Sequence, residues 1–153
     1  MNSIMDGNPS VSFVSQGANM LVYYTSQAYF EAQTGLTVPP NTVGFFTYYV
    51  DDTLHITSAV CWIGPDTFSQ PNFRNHIIIE EMTQCLGLGK DIFTYPDGTP
   101  AHSSVFYELA HQLGNDAATN YSPLDRAIIN LLYSNNVVIG ENEQQTRARL
   151  EAL

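Results

Sequence analysis

Positive charge is scarce in this chain: 5 Lys and Arg stand against 15 Asp and Glu among 153 residues, and Lys90 is the only lysine. The formal net charge of -10 disfavours nucleic acid and anionic membrane surfaces as partners, because both attract basic faces. Cysteine is sparse too. Cys61 and Cys85 form no C-x-x-C pair and read as one bridge of an exported protein or as two buried thiols. No apolar run reaches the roughly 18 residues that a membrane-spanning helix needs. The opening MNSIMDGNPSVSF has neither a basic start nor an apolar stretch, so no signal peptide is read in it.

What is present is globular material, 44% hydrophobic and 12% aromatic, and one domain is expected over 1–153. Residues 1–17 read as a loose lead-in with a short strand at Val11–Val14. MLVYY (20–24) is of strand type, and SQAYFEAQTG after it suits a short helix ending near Gly35. GFFTYYV and LHITSAVCWI flank Asp51-Asp52-Thr53, the pattern of a β-hairpin rich in aromatic and β-branched residues. The spacing predicts a helix from Arg74 to Gly87, then a loop-rich stretch with one helical piece around SSVFYELAHQL. Ser122 as N-cap, Pro123 at the first helical position and Asp125 at the third predict another helix. ENEQQTRARLEAL reads as a solvated terminal helix. Strands precede helices, so the class is α+β.

The chemistry concentrates on the helix that carries EEMTQCLGLGKD (80–91). At about 100° per residue, Ile78, Ile79, Met82, Cys85 and Leu86 share one side and are expected in the core. His76, Glu80, Gln84 and Gly87 share the other, with Glu81 at its margin. Two ligands at i and i+4 grip one ion from one helix face, and a glutamate between them acts as general base on a metal-bound water. The spacing of Glu80, Glu81, Gln84, Gly87 and Lys90 is that of H-E-x-x-H-x-x-G-x-x-H, with Glu, Gln and Lys at the three histidine positions. Glutamate binds zinc, glutamine rarely does, and lysine hardly at all. Zinc is therefore not expected here, and no metal site is assigned. A carboxylate, an amide oxygen and the His76 imidazole would suit a harder ion, weakly.

Two further blocks follow in order. Ser104-Val105-Phe106-Tyr107 is similar to the Met-turn of the metzincin proteases, with Phe106 at the methionine position. Tyr121-Ser122-Pro123-Leu124-Asp125 through Tyr133 is similar to the start of their final helix. E-E-x-T-Q-x-L-G-L with S-P-L-D-R-x-x-x-x-L-L-Y resembles, more closely, an uncharacterised bacterial domain family found in exported proteins and related to the metzincins. The resemblance runs from roughly Met20 to Gly140. It implies a zincin-like fold, in which a twisted mixed sheet packs on an active-site helix above a loop-rich C-terminal half with a final helix. It also implies export to the periplasm or beyond. The strand and long helix that open a zincin domain are missing or very short before Met20, which points to a piece of a longer protein.

Within that resemblance Glu81 is the candidate general base. Glu80, Gln84, His76, Lys90 and Asp91 are candidate cleft residues, and Asp91 is expected to brace the loop. Phe106 is expected to make the hydrophobic floor under the site, and Tyr107 matches the Met-turn tyrosine. Lys90 is expected to pair with Glu80 or Glu81 in place of the metal cation. Ser122 and Asp125 read as caps, while His102 and His111 lie in the loop-rich region and could approach the cleft, although lone histidines are more often structural or exposed. A glycosidase acid pair of Glu80 and Glu81 is disfavoured, because adjacent helix residues diverge. The expected function is a non-catalytic binding or scaffold module for a protein or peptide. The alternative is a peptidase-like hydrolase that uses Glu81 with an atypical metal or none.

Overall fold

Residues 12, 14–65, 69–134, 137–138 and 140–152 are described in the computed structural model. Val11 and Phe13 of the strand expected at Val11–Val14 lie outside the described residues. The described residues form three strands and five α-helices: β1 (Met20–Tyr24), α1 (Gln27–Thr34), β2 (Gly44–Val50), β3 (Ile56–Ile63), α2 (Pro71–Gln84), α3 (Ala110–Leu113), α4 (Pro123–Leu132) and α5 (Glu143–Leu150). This is an α+β arrangement around a small mixed sheet.

The sheet order is β1-β3-β2, with β1 parallel and β2 antiparallel to β3. The β2–β3 hairpin pairs Phe46 with Cys61 and Gly44 with Ile63. Its turn is held by Asp51, whose Oδ1 accepts from the Thr53 and His55 amides at 2.8 and 3.0 Å. Because side chains alternate along a strand, β3 serves two cores. Ala59, Cys61 and Ile63 face the cluster of Phe73 and Ile77 from α2 and Cys85 at its C-cap. Val60 and Trp62 face Phe30 and Val38 beside α1. Trp62 also donates its indole N–H to the Thr25 carbonyl at 2.9 Å. Burying an aromatic of roughly 200 Å² contributes about 5 kcal/mol before entropy is set against it.

α1 starts where Ser26 accepts from the Tyr29 amide and stops at Gly35, whose φ of 71° suits glycine. α2 begins three residues before the expected Arg74, at Pro71, since proline needs no amide partner in the first turn. It ends at Gln84, short of the expected Gly87, which follows in the turn at φ 104°. The helix expected around SSVFYELAHQL is confined to Ala110–Leu113, because Ser104–Glu108 is drawn into other pairing. The Ile92 amide donates to the Phe106 carbonyl at 2.7 Å, and the Glu108 amide donates to the Ile92 carbonyl at 3.0 Å. This bridge lays the chain after α2 beside the Ser104–Tyr107 turn.

α4 carries a complete capping box. Ser122 Oγ accepts from the Asp125 amide at 3.2 Å and Asp125 Oδ2 accepts from the Ser122 amide at 2.8 Å. Asp125 reaches further: it accepts from Ser104 Oγ at 2.6 Å and from the Val105 amide at 3.1 Å. The cap of one helix thereby fixes the Ser104–Tyr107 turn. α4 is also tied to the end of α2, as Tyr133 donates its hydroxyl to the Leu86 carbonyl at 2.7 Å.

Candidate functional site

The α2 helix is covered on both sides, which changes the expected division of its faces. The sheet takes Ile77 and Cys85, while Ile78, Ile79 and Met82 are only partly buried. The polar row is buried as well: His76 is 0% exposed, and Glu80 and Glu81 are each 7% exposed. His76 does not share a cleft with the glutamates. Its Nδ1 lies 2.8 Å from the Ala118 carbonyl, which assigns the ring proton to that nitrogen.

The Nε2 of His76 is 3.7 Å from Glu80 Oε2 and has no hydrogen-bond partner. The pair is not an ion pair, because burial lowers the His76 pKa and raises that of Glu80. Both groups are then neutral near pH 7.

A cavity of about 240 Å³ opens beside α2. Asn41, Thr42, Val43 and Gly44 form its β2 side, and Phe73, Ile77, Glu80 and Glu81 form its helical side. Asp91, Tyr107, Glu108, Ala110 and His111 close the remainder. Asp91 and Glu108 reach it through the Ile92–Tyr107 bridge. Gly44 lets strand and helix approach closely, since a Cβ there would overlap Glu81 Oε1 and lie 2.6 Å from Ile77 Cγ2.

Buried Glu80 and Glu81 and half-buried Asp91 share this space, with exposed Glu108 at its rim, and burial moves the titration of the first three. Burial pushes Glu80 up to about 10, helped by the charges of Asp91 and Glu81. Burial pushes Glu81 up to about 8, helped by Asp91 and Cys85. Half-buried Asp91 rises to about 6, by burial first and by its contact with Glu108 second. The Oε2 atom of Glu81 is buried with no hydrogen-bond partner. Such an orphan is uncommon, because buried polar atoms are nearly always paired.

Of the candidate residues, Glu80, Glu81, Asp91, Tyr107 and His111 line this cavity, while Gln84, Lys90, His76, Phe106 and His102 do not. Gln84 turns aside and donates to Asp91, so that Asp91 is held from α2. Phe106 is buried, but Tyr107 alone of the two forms the cavity wall. His102 stacks edge-on against Tyr107 at 4.8 Å from outside.

The expected pairing of Lys90 with Glu80 or Glu81 is corrected. Lys90 is exposed, and among the described residues the ion pairs do not include it. It follows Gly89 out of the helix terminus into solvent, where an ammonium keeps its hydration. Behind the glutamates, Cys61 and Cys85 are buried and unbridged. The thiol contact with Cys85, and then burial, raise the Cys61 pKa.

At the three positions where the zinc motif has histidines stand Glu80, Gln84, which donates to Asp91, and exposed Lys90, and only the carboxylate of these is a usual zinc donor. Glu108 and Gly44 were not candidates from sequence. The signal for Glu108 was an acid inside the apolar run V-F-Y-E-L-A, and Gly44 carried none.

No curated protein and no solved structure matches the chain. The family described as "Protein of unknown function (DUF2927)" matches residues 5–152, and the chain belongs to that family.

Proposed function

We propose that this is a zincin-like domain that has given up catalytic zinc and serves as a binding module of an exported bacterial protein, with the cavity beside α2 as its recognition site. The observation that carries the reading is the orphaned, buried Oε2 of Glu81 at a cavity with three further carboxyls. A polar group left unpaired at a concave site costs about 1–3 kcal/mol, and a ligand that completes its hydrogen bonds recovers that. The disposition of Glu81, the glycine turn at Gly87 and the turn before Tyr107 supports the zincin-like comparison. The donors at the ligand positions are unsuited to zinc.

A second reading is favoured by one feature. A carboxyl pushed up to about 8 in a cleft has the acidity of a general acid or base working near neutral pH. In that reading Glu81 activates water for hydrolysis of a peptide bond. The test is turnover of a fluorogenic peptide library by the purified protein beside Glu81→Gln. The binding reading expects no turnover above buffer from either. Turnover by the wild type that is lost in Glu81→Gln would overturn it.

A further inference from the structure

We propose that the cavity beside α2 receives the primary ammonium of a lysine-type side chain from a partner polypeptide, with the ammonium held among Glu81, Glu80 and Asp91. The assignment rests on the reading of this cleft as a binding site. Acidity alone would not carry it. The second observation is the unpartnered Oε2 of Glu81, in a residue 7% exposed and lining the cavity. Once Glu81 ionises, above about pH 8, a hydrogen-bond donor that also carries positive charge answers that oxygen best.

Size narrows the choice. The 240 Å³ of the cavity falls below the roughly 300–1,000 Å³ of sites that enclose whole small molecules. One side chain fits. Its walls match an alkyl stem that ends in a charge: Val43, Phe73, Ile77 and Tyr107 are apolar or aromatic, and the carboxyls sit together. Among the described residues the carboxyls form no metal-holding group, and an ammonium asks for fewer and longer contacts than a metal ion, with three donors to place. No Lys or Arg of this chain lines the cavity.

Protons are coupled to the event. Facing Glu81 are Glu80 and Cys85 on α2 and Cys61 on β3, with Asp91, Tyr107, Glu108 and His111 across the cavity. Glu81 titrates at about 8 and Glu80 at about 10, so arrival of a cation favours their ionised forms and releases protons. Binding strengthens as pH rises from 6 to about 9, then weakens as the amine itself deprotonates near ~10.4.

The experiment is calorimetric titration of the whole chain at pH 6, 7.5 and 9. The probes are n-butylammonium, Nα-acetyl-lysine N-methylamide, the neutral isostere n-pentanol, and zinc and calcium chloride. Both ammonium probes are expected to bind with a Kd on the order of millimolar at pH 9, tenfold or more tighter than at pH 6, with protons released. n-Pentanol is expected to bind at least tenfold more weakly.

Glu81→Gln is expected to lose tenfold or more in affinity. Asp91→Asn provides a second variant should the first not fold, and the wild-type pH profile depends on neither. Failure of both ammonium probes, binding of n-butylammonium but not the lysine amide, or stoichiometric metal binding at the same carboxyls would overturn the assignment. Absence of ammonium binding together with absence of peptide turnover removes the lysine assignment alone. Turnover that depends on Glu81 removes the binding reading itself.

Discussion

Gly44 of β2 packs directly against Glu81 of α2: a methyl group at position 44 would overlap Glu81 Oε1 and stand 2.6 Å from Ile77 Cγ2, so a neighbour must shift to admit it. β2 thus lends the site an edge of bare backbone, and α2 brings the carboxyl to it. The approach of these two residues sets how deep the cavity is and how dry Glu81 becomes.

Gly44→Ala is therefore expected to destabilise the fold by about 1–3 kcal/mol, the range for overpacking a filled interior. Glu81→Ala should relieve part of that, because Ile77 Cγ2 at 2.6 Å remains in the way. A double-mutant cycle by urea unfolding is expected to return a coupling of about 0.5–3 kcal/mol. Strict additivity would show that the two residues do not touch.

Stability should fall as the solution becomes alkaline. Glu81 and Glu80 titrate at about 8 and about 10 in the folded chain, above the ~4.3 of an unfolded glutamate. The folded state holds protons that the unfolded state has released. This contribution is complete below pH ~4.3 and is lost as pH rises through 8 and then 10. Chemical denaturation at several pH values from 5 to 10 should show that decline, and Glu81→Gln should flatten its portion below about 8. A wild-type profile that rises over this window would contradict the burial of these carboxyls as neutral groups.

Asp125 is fully buried and accepts from Ser104 Oγ and from the amides of Val105 and Ser122. Asp125→Ala strands three donors at once and is expected to cost about 3–5 kcal/mol. Thermal unfolding reads the loss. Ser104→Ala, which removes one donor and its own acceptor, should cost less.

Lys90→Met is expected to change stability by no more than about 0.5 kcal/mol, the usual range for exposed positions. A loss of about 3 kcal/mol would instead show a buried ion pair with Glu80 or Glu81.

Local signals carried the fold further than the site. MLVYY, the aromatic hairpin and the S-P-L-D cap announce β1, β2–β3 and α4 directly, because strand composition and capping act within a few residues. On α2 the apolar side expected in the core holds in part, with Cys85 buried and Ile78 and Met82 packed against the core, but the polar row of His76, Glu80 and Gln84 is buried as well, and polarity does not mark that burial. Glu80, Glu81 and Asp91 were visible by spacing. Glu108 arrives only through the Ile92–Tyr107 bridge and Gly44 only through sheet packing, both long-range events that no short motif records. Lys90 misled for a related reason. Its position in a motif said nothing of the solvation that keeps its ammonium outside.

In the proposed reading these carboxyls serve a site without catalytic zinc. Elemental analysis of the whole chain, purified without chelators and equilibrated with zinc before desalting, tests it most directly. Well under one equivalent of any transition metal is expected, the same in wild type and Glu80→Ala. One equivalent of zinc in the wild type, lost in Glu80→Ala, would contradict it.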